Sequence, residues 1–197
     1  ESVRDHGAVV TSNTTVEAPV DGEVQTVELN AEGRAAPDAG PVYYEFERLR
    51  VAGDDSTTRE QVAGYADHEG VTRREVRAGN ASVERESRDR VAALRDRHVV
   101  REHQLQRALS AGDFAVASVD RSGERWVTTL VANEAELTDD GDDHRGEFSA
   151  AIEVAASGRV LSLTFTRDPY PDQRVGHERV RVTWQNGTTV EPPEWAR

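Results

Sequence analysis

Cysteine is absent from the 197 residues, which excludes disulfides, thiolate metal sites and a cysteine nucleophile. Methionine is missing as well, even at position 1, so the expectation is of a chain that starts downstream of its natural beginning after signal processing or trimming. Lysine is missing too: all 24 basic residues are arginine, set against 37 acidic ones. No basic stripe is available to displace counterions from phosphates, so nucleic acid is not an expected partner. No apolar run reaches the length of a membrane-spanning helix, and contact with a membrane is expected only through an anchor that lies outside these residues.

The net charge of −13 is spread along the chain instead of being gathered in a tail. Like charges at that density oppose compaction unless salt screens them, so the composition reads as the solvated surface of a salt-adapted protein, or else as an acidic patch for a basic partner. The length suits one domain, residues 1–197, with a single core.

Polar and apolar residues alternate with the period of a strand over much of the chain. Arg125 to Ala132, Phe148 to Ala155, Val160 to Thr166 and Arg179 to Trp184 carry the pattern best. Ser157-Gly158 predicts a tight hairpin between the middle two, and Arg121-Ser122-Gly123 another one upstream. Asn186-Gly187 predicts a further hairpin into Thr188 to Val190. In the first half Ala8 to Val16, Glu23 to Leu29 and Val42 to Val51 read as strands, the last with Tyr44, Phe46 and Leu49 in the core and a bulge near Arg48. Gln61 to Ala66 and Val71 to Arg77 are mostly charged and read as paired edge strands. Ser87 is placed as the N-cap of a helix reaching Leu109, with Val91, Leu94 and His98 on one stripe and Leu105, Ala108 and Leu109 continuing it. Glu1 to His6 are expected to be the end of a helix whose body lies upstream.

No catalytic constellation stands out. The serines lie in no G-x-S-x-G elbow, no glycine-rich phosphate loop follows a strand, and the carboxylates are too frequent for any pair to be informative. The six histidines lack metal-ligand spacing, and His98 and His103 would diverge on a helix. Thr138 to Glu147 gathers acidic side chains around two glycines without the EF-hand spacing, and reads as a solvated loop or a calcium site. The chain is therefore expected to be no enzyme and to use no cofactor. Asn13, Asn80 and Asn186 each open an N-x-S/T sequon and are candidate glycan acceptors in an exported protein. Trp126, Leu161, Leu163, Phe165, Val180, Val182 and Trp184 share strand faces that form either ordinary core or the lining of an apolar ligand site.

The order of elements, the hairpins GDFAVASVDRSGERWVTTL and AAIEVAASGRVLSLTFT, and the ending VRVTWQNGTTVEPPEW resemble secreted haloarchaeal lipoproteins of unknown function. Those are similar in turn to the half-barrel fold of bacterial outer-membrane lipoprotein carriers and mycobacterial lipid-binding lipoproteins. The resemblance covers roughly the C-terminal half, and the first half by element order alone. It implies an α+β fold, a curved antiparallel half-barrel sheet wrapped around the central helical segment, with a first helix upstream of Glu1. It also implies an extracellular or cell-surface location, with lipid anchoring through a cysteine that this chain does not contain. Two functions follow as expectations: an envelope protein that works by contacting other envelope proteins or glycans, or a carrier that holds a lipid or other apolar ligand. A hydrophobic share of 36% would be largely consumed by a closed core, which favours the first.

Overall fold

The computed structural model describes residues 7–20, 23–52, 56–88, 90–110, 113–122, 125–133, 146–169, 177–187 and 189–197. The alternating segments become β1 (Ala8–Val20), β2 (Glu23–Ala35), β3 (Val42–Val51), β4 (Thr57–Ala66), β5 (Val71–Arg77) and β6 (Asn80–Glu86) in the first half. The second half supplies β7 (Ala115–Ser122), β8 (Arg125–Asn133), β9 (Gly146–Ala155), β10 (Val160–Pro169) and β11 (Glu178–Asn186). All join one antiparallel sheet in the order β6-β5-β4-β3-β2-β1-β11-β10-β9-β8-β7. Among the described residues β6 and β7 do not pair with each other, so the sheet is not closed. The architecture is thus mostly antiparallel sheet with a few short helices.

Period-two alternation gives the sheet two chemically distinct faces. On the inner face Val10 pairs with Trp184 and Ser12 with Val182, which in turn opposes Leu163, and Leu163 opposes Ile152. Val10, Val42, Leu163 and Val182 have no exposed surface at all. Burying each such side chain contributes about 1.5–3 kcal/mol before chain entropy is charged against it.

The helical segment between β6 and β7 lies on this inner face. α1 (Val91–Arg95) runs into a single π-helical turn (Asp96–Val100), which ends where Arg101 adopts the left-handed conformation at φ 57°. α2 (Glu102–Ser110) then starts afresh. Val91, Arg95 and Val99 follow one another at four-residue spacing and are all buried. The indole N–H of Trp184 donates to the Val99 carbonyl at 3.0 Å, tying the π turn to β11. Arg95, buried despite its charge, donates to the carbonyls of Ala36 and Gly40 at 2.8 and 3.0 Å and so clamps α1 to the β2–β3 connection. Hydrogen bonds to several carbonyls are what make a buried guanidinium tolerable.

Four sequence expectations need correction. The helix does not start at Ser87: it begins at Val91, the Arg90 side chain at its N-cap makes no capping bond, and the reversal at Arg101 cuts it in two so that Leu109 is 55% exposed. β4 and β5 are interior strands, and the edge is β6, all of whose residues are exposed. Charged rows can sit inside a sheet when signs alternate across strands, as where Glu60 of β4 accepts from Arg77 of β5 at 2.7 Å and from Arg48 of β3 at 3.4 Å. No bulge occurs near Arg48: β3 keeps register with both neighbours, and Leu49 simply lies on the face opposite Tyr44 and Phe46. The irregularities fall instead between Val116 and Ser118 and between Val160 and Ser162.

The fourth correction concerns Asn186-Gly187, after which no strand follows among the described residues. A Cβ on Gly187 would stand 2.6 Å from the Ala8 carbonyl carbon, so glycine serves close backbone approach here and not a hairpin turn. By contrast, the Ser157-Gly158 hairpin forms as expected, with Gly158 at φ 82° and its N–H bonded to the Ala155 carbonyl. The Glu1 to His6 expectation lies outside the described residues.

Candidate functional site

The face opposite the helices carries a groove of about 560 Å³ built from the outward residues of β1 to β5 and β11. Strand register lays its floor in two adjacent rows. One row runs Arg74, Ala63, Glu45, Glu32, Thr11, Thr183, and the next runs Val76, Gln61, Glu47, Asn30, Asn13, Arg181. Tyr43 extends the first row's end of the floor, and Trp195 supplies a wall. Trp195 sits in a 3-10 turn (Glu194–Ala196) that touches β5. Arg85 of β6 fixes that turn by donating to the Arg197 carbonyl oxygen at 2.7 Å.

The three floor carboxylates are already partnered. Glu32 accepts from the Arg34 guanidinium. Glu45 accepts from the Tyr43 hydroxyl at 2.5 Å; burial and that carboxylate both push the phenol's pKa up, while Arg34 lies 5.7 Å over the ring. Glu47 accepts from Arg59 at 2.8 Å, and that bond holds its carboxyl below the usual range. The Asn13 side-chain amide donates to Asn30 Oδ1 at 2.5 Å. The side chains of Arg74 and Arg181, at opposite ends of the groove, make no hydrogen bond or ion pair among the described residues.

The inner face offers little room by comparison. Of the seven residues singled out as core or ligand lining, Leu163, Phe165, Val180, Val182 and Trp184 are all buried in one cluster with Val99 and Ala108. Leu161 is half-buried. Trp126 stands apart, 55% exposed on β8. Near Phe165, Arg107 of α2 lies 5.7 Å over the ring and donates to Glu178 at 2.8 Å. Arg101 reaches Ser12 Oγ at 2.9 Å, and burial lowers the pKa of its guanidinium.

The candidate glycan acceptors fall in three different settings. Asn13 lies on the groove floor, Asn80 follows the positive-φ pair Ala78-Gly79 at an exposed turn, and Asn186 ends β11 and accepts from Arg159. Most of Thr138 to Glu147 lies outside the described residues, and among the described residues no three acidic, histidine or cysteine side chains converge on a metal position. His98 and His103 are not brought together as ligands: His98 stacks on Tyr44. The groove was not foreseen from sequence. Its signal was there in the outward residues of the first-half strands, where Asn, Gln, Thr and Glu replace a simple run of like charges.

Neither a family model nor a curated protein sequence matches the chain. Among solved structures it is similar to a β-barrel-like protein of a domain of unknown function, DUF1849, from Brucella abortus. The two share 13% identity over 94% of this chain and 99% of the other, with a TM-score of 0.36.

Proposed function

We propose that this chain is a non-enzymatic binding module of the cell envelope or extracellular space of a salt-adapted archaeon, working by contact with a polar partner across its outer groove. The observation that carries this reading is the division of labour between the faces. The apolar side chains that a lipid carrier would leave around a cavity are packed against one another and against the helical segment, whereas the open groove is floored by amides, hydroxyls and charges. In this reading the sheet is a half-barrel curved around the helices, because short helices bring Val91, Val99 and Ala108 into one cluster with strands from β1 to β11.

A carrier function keeps one specific observation in its favour. Val116, Val119 and Trp126 are each more than half exposed on the open β7–β8 hairpin, where an apolar ligand could lodge.

Labelled protein added to isolated envelopes of its host in molar salt should bind saturably. Ala63→Trp, which fills the groove floor beside Arg74, should abolish that binding without loss of fold. Unchanged binding by Ala63→Trp, or saturable uptake of a fluorescent lipid lost on Trp126→Ser, would overturn the groove reading in favour of another surface or of the carrier.

A further inference from the structure

We infer that the outer groove takes an extended acidic saccharide, one whose sugar units carry carboxylate or sulfate groups; this rests on the groove being the working surface. Three features converge on that class.

The first is charge. Glu32, Glu45 and Glu47 are each already engaged by Arg34, Tyr43 and Arg59, while Arg74 and Arg181 are unengaged among the described residues. In a protein of net charge −13, two guanidiniums left without carboxylate partners at the two ends of one groove are positioned for an incoming anion. The planar fork of arginine binds carboxylate or sulfate through paired hydrogen bonds, whose geometry still selects the ligand when salt screens long-range attraction.

The second is span. Arg74 on β5 and Arg181 on β11 are separated by five inter-strand steps, about 24 Å along the sheet at about 4.8 Å each. A single small anion cannot reach both, but a chain of several charged units can. Between them Asn30 and Gln61 offer amide groups, and Thr11 and Thr183 offer hydroxyls, suited to sugar hydroxyls.

The third is aromatic surface. The Trp195 ring lines the groove beside the floor and gives an apolar face on which a pyranose ring can stack while its hydroxyls meet the polar rows, and Tyr43, with Arg34 over one side of its ring, leaves its other side to the floor. An extended peptide would gain less, because the floor strands are paired on both sides and leave no backbone edge for strand addition.

The test is calorimetric titration of the whole chain, in molar salt, with short oligogalacturonates, sulfated dextran oligomers and neutral malto-oligosaccharides of matched length. Binding of one acidic series is expected, with the neutral series at least tenfold weaker; whichever acidic series wins identifies the anionic group. Arg74→Ala with Arg181→Ala should weaken that binding at least tenfold, and Arg74→Lys with Arg181→Lys should recover only part of it. Trp195→Ala should weaken acidic and neutral ligands alike, and thermal melts serve to confirm that every variant is folded. Equal binding of neutral and acidic sugars, or acidic binding indifferent to both arginines, overturns the inference. If no sugar binds but Ala63→Trp still abolishes envelope binding, the saccharide class falls and the groove reading stands. If Ala63→Trp leaves envelope binding intact, both fall.

Discussion

Tyr44 and His98 stack ring on ring, their centroids 3.9 Å apart and their planes within 5°. The phenol lies directly on the backbone of Gly64, where a Cβ would come within 2.2 Å of its ring atoms. β4, β3 and the π turn are thereby layered on one another, and the imidazole at the top of the stack is largely removed from water.

That burial, with Arg101 and Arg97 close by, lowers the His98 pKa to about 4. An unfolded histidine titrates near 6.5, so between about 6.5 and 4 the unfolded chain takes up a proton that the folded chain refuses. The associated stability is fully present above pH 6.5 and is lost as pH falls towards 4, by about 2–3 kcal/mol. Urea melts of the native chain and His98→Phe, compared across pH 7 to 4, should diverge in slope over this window. Parallel curves would mean that His98 charges freely in the fold.

Gly33 on β2 faces the carbonyl of the same histidine, and a Cβ there would stand 2.2 Å from its oxygen. The oxygen belongs to backbone and the Cβ would be held rigidly on backbone too, so neither can swing aside. Gly33→Ala should therefore cost about 1–3 kcal/mol by forcing the π turn off the sheet. A thermal midpoint equal to the native value would show that the helices are not seated this tightly.

Trp184 and Trp126 should respond to substitution in different ways. Trp184→Phe keeps most of the buried ring but strands the Val99 carbonyl without its donor, a loss of about 1–3 kcal/mol. Trp126→Ser, at a ring 55% exposed, should change stability by no more than about 0.5 kcal/mol. Chemical denaturation of the two variants checks the ranking, and a reversed order would contradict the burial described above.

Much of the sheet was legible because strand period is local information. Val42 to Val51 is β3 to the residue, and the Ser157-Gly158 hairpin needs nothing beyond its own turn. The inner-face cluster of Leu163, Phe165, Val180, Val182 and Trp184 followed from the same alternation. What failed depended on distant partners. Nothing local marks Arg95 as buried, since its acceptors Ala36 and Gly40 come from another connection. Nor does the pattern of β4 and β5 show that their charges are matched by neighbours and not by water. The groove was hidden for the same reason: its rows are assembled one residue per strand, from positions that each look like ordinary surface.

Salt should stabilise the fold. Arginine–glutamate pairs such as Arg77–Glu60 and Arg59–Glu47 are largely exposed on the arginine side and contribute little each, so their screening loses little. The excess of 13 negative charges repels throughout the compact body, and that repulsion is screened as well. The second effect is the larger, so the thermal midpoint should climb between tenths molar and a few molar sodium chloride. A flat or falling midpoint would place the balance with the arginine pairs.

The pairing of β1 with β11 has a kinetic consequence. Read from β7 through β11 to β1 and on to β6, the sheet is one uninterrupted meander, and the chain merely enters it in the middle. Every other pairing joins strands adjacent in sequence, so each can zip from its own hairpin, whereas Ala8 must find Asn186 from near the other end of the chain. The closure entropy of that one contact falls on the centre of the sheet, which makes the joining of two preformed half-meanders the slow event in folding. A circular permutant opened in the helical segment, with the old ends linked, would turn this last long-range pairing into one more hairpin and fold faster.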